Sequence, residues 1–168
     1  MELVETIEVG SGGASSIEFT GIPDTGVDLA IALSGRTDGS NVTSSIFMQL
    51  NSDTANNYAY LILRGTGSSA SSTSDDPYDA IRVCYFPGAN STSNTFGNAT
   101  IYLSNYASTT AKSISSDSVQ ENNATASYQN ITAGSYSGTS EITSVKLYPA
   151  SGFGDWAQYS TASLYIIS

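Results

Sequence analysis

The sequence predicts an all-β protein, a single jelly-roll-like antiparallel β-sandwich over residues 1–168 with little or no helix. Three observations lead there. Apolar residues recur with a period of two rather than the helical period of about 3.6. The apolar runs are short and are separated by stretches rich in Ser, Thr, Asn and Gly, which is turn chemistry. Ala, Leu, Glu and Lys are too sparse, and Ser, Thr and Gly too dense, for an amphipathic helix. The length suits one domain with a full core, burying about 70% of the unfolded chain's surface.

Strands are expected at residues 4–9 and 16–20, joined by the GSGG of residues 10–13. That tetrapeptide lacks the lysine and the following helix of a phosphate-binding loop and reads as a hairpin turn. In the next run Val27, Leu29, Ile31 and Leu33 share one face, while Asp28, Ala30 and Ala32 take the other, before the TDGSN turn. Further strands are expected at 44–51, 58–64, 80–86, 99–105, 142–148 and 162–167, and another at 124–131. The GTGSSASSTS run, 65–74, lies between two strong strands and reads as a long loop inside the domain. The chain's last segment, STASLYIIS, is apolar almost to its end, which predicts a strand lying centrally in a sheet rather than a fraying tail.

Charge and residue usage exclude several functions. Fifteen acidic against five basic residues give a net charge of −10, with no histidine. Arg36, Arg64, Arg82, Lys112 and Lys146 are scattered singly, so neither nucleic acid nor an anionic membrane is an expected partner. Without histidine there is no Ser-His or Cys-His nucleophile and no imidazole metal ligand. Cys84, flanked by Ile81, Val83, Tyr85 and Phe86, reads as a small buried hydrophobe rather than a reactive thiol. The N-terminal MELVETIEVG carries acids where a signal peptide needs basic and then apolar residues, which predicts folding in a cytoplasm. The N-x-S/T matches at Asn41, Asn90, Asn98, Asn123 and Asn130 read as products of composition.

The remaining chemistry is oxygen chemistry. Asp75, Asp76 and Asp79 in SDDPYDAIRV could serve a carboxylate-only glycosidase, but they sit where a loop meets a strand and read as a solvated turn. The same group, and Asn51, Asp53 and Asn57, supply oxygens for calcium, yet neither has the spacing of a dedicated calcium loop. The expectation is a protein with no enzymatic activity and no cofactor, with calcium kept as a candidate ion. Eleven tyrosines and one tryptophan offer amphipathic contact area. Tyr106, Tyr128, Tyr136 and Trp156 fall in or near expected loops and are the candidate surface contacts.

The segment IFMQLNSDTANNYAYLIL, 46–63, resembles the strand, Asn-Gly-Asp turn and second strand found in many small tailed-phage virion proteins. LSNY at 103–106, EITSVKLYP, the GFGDWAQYS turn and the terminal SLYII follow in the same order, so the resemblance spans nearly the whole chain. Ser52 stands where that pattern has Gly, and Ile166 where its terminal strand has Gly. The resemblance implies a virion structural protein, most simply a capsid decoration protein. Such a protein would bind the major capsid protein on the outside of the assembled head as a homotrimer. It also leaves two alternatives: a receptor- or glycan-binding module of a fibre, or a tail component.

Overall fold

The computed structural model describes residues 1–121 and 127–168. It is all-β, with no helix among those residues. Twelve strands among the described residues form two antiparallel sheets. In chain order they are β1 (Glu2–Glu8), β2 (Ile17–Thr20), β3 (Asp28–Gly35), β4 (Thr43–Leu50), β5 (Tyr58–Gly65), β6 (Ala70–Tyr78), β7 (Ile81–Pro87), β8 (Gly97–Leu103), β9 (Lys112–Glu121), β10 (Ser127–Tyr136), β11 (Ser144–Pro149) and β12 (Thr161–Ile167). The large sheet runs β1-β12-β3-β8-β9-β10-β5-β6 and the small one β2-β11-β4-β7. The chain crosses between sheets repeatedly, giving the expected jelly-roll-like sandwich.

The period of two is obeyed where a strand faces the core. Leu29, Ile31 and Leu33 of β3 pair with Leu103, Ile101 and Ala99 of β8 and with Ile166, Leu164 and Ala162 of β12. All nine are nearly free of solvent. Val27 lies just before β3 and is half exposed, so the inward face starts at Leu29. The terminal strand lies between β1 and β3, as STASLYIIS predicted. In β7 the register with β4 shifts between Ile46 and Phe47, and the extra residue lets Val83 and Cys84 both point inward. Burial pushes the Cys84 thiol's pKa well up, which suits an inert packing residue.

Three segments depart from expectation. Residues 70–74 belong to β6, which pairs along β5. Only Thr66 to Ser69 turns the chain, with Gly67 at φ 82° and the Thr66 N–H on the Ser69 carbonyl at 2.9 Å. Pro77, expected in a turn, lies within this strand. Lys112–Glu121 forms β9, which the sequence reading missed. Its inward positions are Ile114, then Ser116, Ser118 and Gln120, so no aliphatic alternation marks it. The strand expected at 124–131 falls partly on residues outside those described. Beyond them β10 continues to Tyr136, with Asn130 and Thr132 facing inward and Ile131 facing out.

The turn after β4 has a backbone that would suit glycine at Ser52 better than serine. Asn51 and Ser52 both have positive φ, 52° and 54°. Asparagine tolerates this region, whereas serine is strained there. Ser52→Gly is expected to raise stability by about 0.5–1 kcal/mol, less whatever glycine adds to unfolded-chain entropy. Urea denaturation would show it as a higher midpoint at unchanged slope.

Candidate functional site

Of the four candidate surface aromatics, three are core. Trp156 is 0% exposed, Tyr106 1% and Tyr136 4%. Each rests in an irregular segment or at a strand end, as expected, but its polar atom is satisfied inside. The Trp156 indole N–H donates to the Leu147 carbonyl at 3.1 Å. The Tyr106 hydroxyl donates to the Pro23 carbonyl at 2.5 Å, and the Tyr136 hydroxyl to the Asp53 carboxylate at 2.9 Å. A loop aromatic with a buried partner for its polar atom plugs the end of a sandwich instead of facing a ligand. Tyr128 alone is partly open, and its ring lies against the Arg64 guanidinium, 4.7 Å from the ring centroid.

The oxygen-rich groups are also in use. The Asp53 carboxylate accepts the Asn57 side-chain amide (2.8 Å), the Ala55 N–H (2.8 Å) and the Tyr136 hydroxyl (2.9 Å). The Asn57 bond, then the Ala55 bond, holds its pKa below the ordinary carboxylate value. A depressed folded-state pKa contributes stability that is present above the unfolded value of about 3.9 and is lost as pH falls through the folded value. Asp53→Asn should therefore shrink the drop in Tm between about pH 7 and pH 3. An unchanged drop would mean that other carboxylates set the acid limb. The Asn51 side-chain Oδ1 accepts the Thr143 and Ser144 N–H groups, at 2.8 and 3.3 Å, tying the turn to β11. Asp75 accepts the Tyr60 hydroxyl at 2.5 Å inside the edge of the large sheet, while Asp76 and Asp79 are exposed.

Two surfaces remain open. The first is the outer face of β5 and β10, where Leu61, Leu63 and Ile131 are 44%, 52% and 51% exposed. Leu63 and Ile131 are direct cross-strand partners, and Leu61 lies two residues along the same face. Beside them a shallow hollow of about 420 Å³ is bounded by Leu63, Gly65, Ala70, Ser72, Gln129 and Ile131. Sequence reading passed over it because Leu61 and Leu63 look like ordinary strand residues. Only the register shows that they point away from the core.

The second is only partly open: on the face of the small sheet that carries Phe47, that ring is itself buried at 5% exposed, and Tyr78 and Tyr148 are half-buried around it. Tyr148 of β11, Phe47 of β4 and Arg82 of β7 stand in one cross-strand row. Tyr78, at the end of β6, stacks on Phe47 with centroids 5.6 Å apart, and Tyr148 does so at 6.1 Å. The Arg82 guanidinium sits over Phe47, Tyr60 and Tyr85 at 5.3 to 5.6 Å and donates to the Tyr85 hydroxyl at 2.9 Å. Such cation–ring contacts hold the aromatic row in place.

Fold and surface together define an antiparallel jelly-roll-like sandwich module. No protein-family model matches the chain, and no curated protein does. Among solved structures it is similar to the CBM40 module of Ruminococcus gnavus IT-sialidase. With the module bound to alpha2,6 sialyllactose, the TM-score is 0.35 at 12% identity, covering 99% of this chain and 93% of that one. With the module bound to alpha2,3 sialyllactose, it is 0.33 at 13% identity, covering 99% and 92%.

Proposed function

We propose that the protein is a structural component of a bacteriophage virion, a decoration protein that binds the outside of the assembled head as a trimer and cements it. The observation that carries this reading is the cluster of Leu61, Leu63 and Ile131, exposed side by side on a sheet face otherwise lined largely by small and hydroxyl side chains. A contiguous aliphatic patch on a regular sheet suits a protein contact. The resemblance to small virion proteins, spread along the chain from residue 46 onward, suggests the partner, the major capsid protein. Binding only the assembled lattice stabilises it by mass action, and three linked contacts add avidity. No step of this role needs bond chemistry.

The test is cosedimentation with DNA-filled capsids stripped of this protein. Saturable binding at a fixed copy ratio is expected. The double variant Leu63→Glu/Ile131→Glu should fold with an unchanged circular-dichroism spectrum and lose capsid binding, trimerisation or both. Wild-type binding in that variant would remove the patch from the contact, and binding to tails or cells alone would remove the cement role. A second reading, a glycan-binding module of a fibre, is favoured by two half-buried tyrosines that flank Phe47, Tyr148 of the small sheet and Tyr78 at the edge of the large one. Trp156 cannot probe that reading, because its removal would damage the core.

A further inference from the structure

Phe47 and Tyr148 of the small sheet and Tyr78 at the end of β6 border a hollow of about 200 Å³, lined also by Asp79, Ala150 and Ser151. Its walls are fixed from several sides. The Gln49 amide donates to the Asp79 carbonyl at 3.1 Å, the Ala150 N–H donates to the Ser45 carbonyl at 2.9 Å, and Tyr78 meets Tyr60 edge-on at 5.9 Å. The Asp79 carboxylate is exposed at the rim and makes no hydrogen bond among the described residues. Burial first, then the nearby Asp79 charge, raises the Tyr148 hydroxyl's pKa to about 12, so it stays a neutral donor and acceptor at ordinary pH.

The chemistry of the hollow restricts its occupant. Tyrosine rings offer flat apolar faces, and the rim offers the Asp79 side-chain oxygens, a tyrosine hydroxyl and the Ser151 hydroxyl. A matching ligand has one flat C–H face and several hydroxyl donors on its edge. Ligand pockets for larger molecules run from about 300 to 1,000 Å³, so this one suits a single six-membered ring. Asp79 and the protein's net charge of −10 oppose an acidic occupant. The basic neighbours do not reverse this, because Lys146, 5.8 Å over the Tyr148 ring, and Arg82 are not among the lining side chains.

We propose that this hollow is a subsite for one neutral pyranose ring of a glycan, stacked against Tyr148 and Tyr78 with its hydroxyls donating to Asp79. The assignment rests on the glycan reading and is independent of capsid binding. It is tested by titrating the methyl pyranosides of glucose, galactose, mannose and N-acetylglucosamine into the protein, up to about 50 mM to cover millimolar affinity. Tyrosine ring resonances report binding, and an array of neutral and sialylated glycans is probed in parallel. At least one pyranoside should shift the Tyr78 and Tyr148 rings saturably, and neutral glycans should bind better than their sialylated forms. Tyr148→Ala should weaken binding about tenfold, the scale of one lost ring contact. Asp79→Asn, on an exposed side chain that leaves the fold intact, should weaken it several-fold, and Tyr159→Ala should not change it. Glycan binding that survives both Asp79→Asn and Tyr148→Ala would overturn the subsite and leave the glycan reading standing. Absence of binding by every pyranoside and every arrayed glycan would overturn both.

Discussion

Trp156→Ala is expected to destabilise the protein by about 3–5 kcal/mol. The indole is fully buried at one end of the sandwich, edge-on to Phe86 with centroids 6.0 Å apart. Its surroundings are shaped to it. Gly35 of β3 faces it so closely that a Cβ there would meet the Trp156 ring at 2.6 Å and Phe86 at 2.7 Å. Removing the ring leaves a cavity that these strands cannot close, because Gly35 pairs in register with Gly97 and neither has a side chain to fill it. The Leu147 carbonyl also loses its indole partner, at a cost of about 1–3 kcal/mol if it stays dry. The backbone of Trp156 bridges Ala14 and Thr37, so collapse would drag two loops with it. At this chain length the loss corresponds to a fall in Tm of roughly 6–20 °C. Trp156→Phe should recover much of the packing and none of the hydrogen bond. A change in urea midpoint equivalent to less than about 0.5 kcal/mol would mean that this end of the sandwich is open.

Leu164→Ala is expected to cost about 2–5 kcal/mol. Leu164 is fully buried on β12, paired with Ile31 on one side and Glu5 on the other. Because β12 separates β1 from β3, deleting residues 164–168 would leave Glu2, Leu3 and Glu5 of β1 and Asp28 to Ile31 of β3 without their β12 partners. Truncation is therefore expected to abolish soluble folding, whereas Leu164→Ala should fold with a reduced midpoint. A folded truncation would show that the sheet can end at β3.

The strands legible in the sequence were those with one apolar face, such as β3, β4 and β12. The missed strands had no such face. β9 turns Ser116, Ser118 and Gln120 inward, and β6 lies at the sheet edge with nearly every side chain exposed. Hydrophobic alternation reports burial against a core, so it is silent wherever a strand buries polar groups or nothing. The surface candidates failed for a related reason. Loop position alone suggests exposure for Trp156, Tyr106 and Tyr136, yet the ends of a sandwich also need plugs. Aromatics with a buried partner for their polar atom provide them.

The all-β class, the buried terminal strand and the inert Cys84 could be read from residue order, because each depends on local pattern: alternation, turn chemistry and the neighbours of one thiol. The aliphatic patch and the aromatic hollow could not. Leu63 meets Ile131, and Tyr78 meets Phe47 and Tyr148, only after segments far apart in the chain have been paired in register. A shift of one residue would turn Leu61 and Leu63 into the core and leave no patch. Long-range register, which no local window encodes, decided which face of each strand was left for a partner.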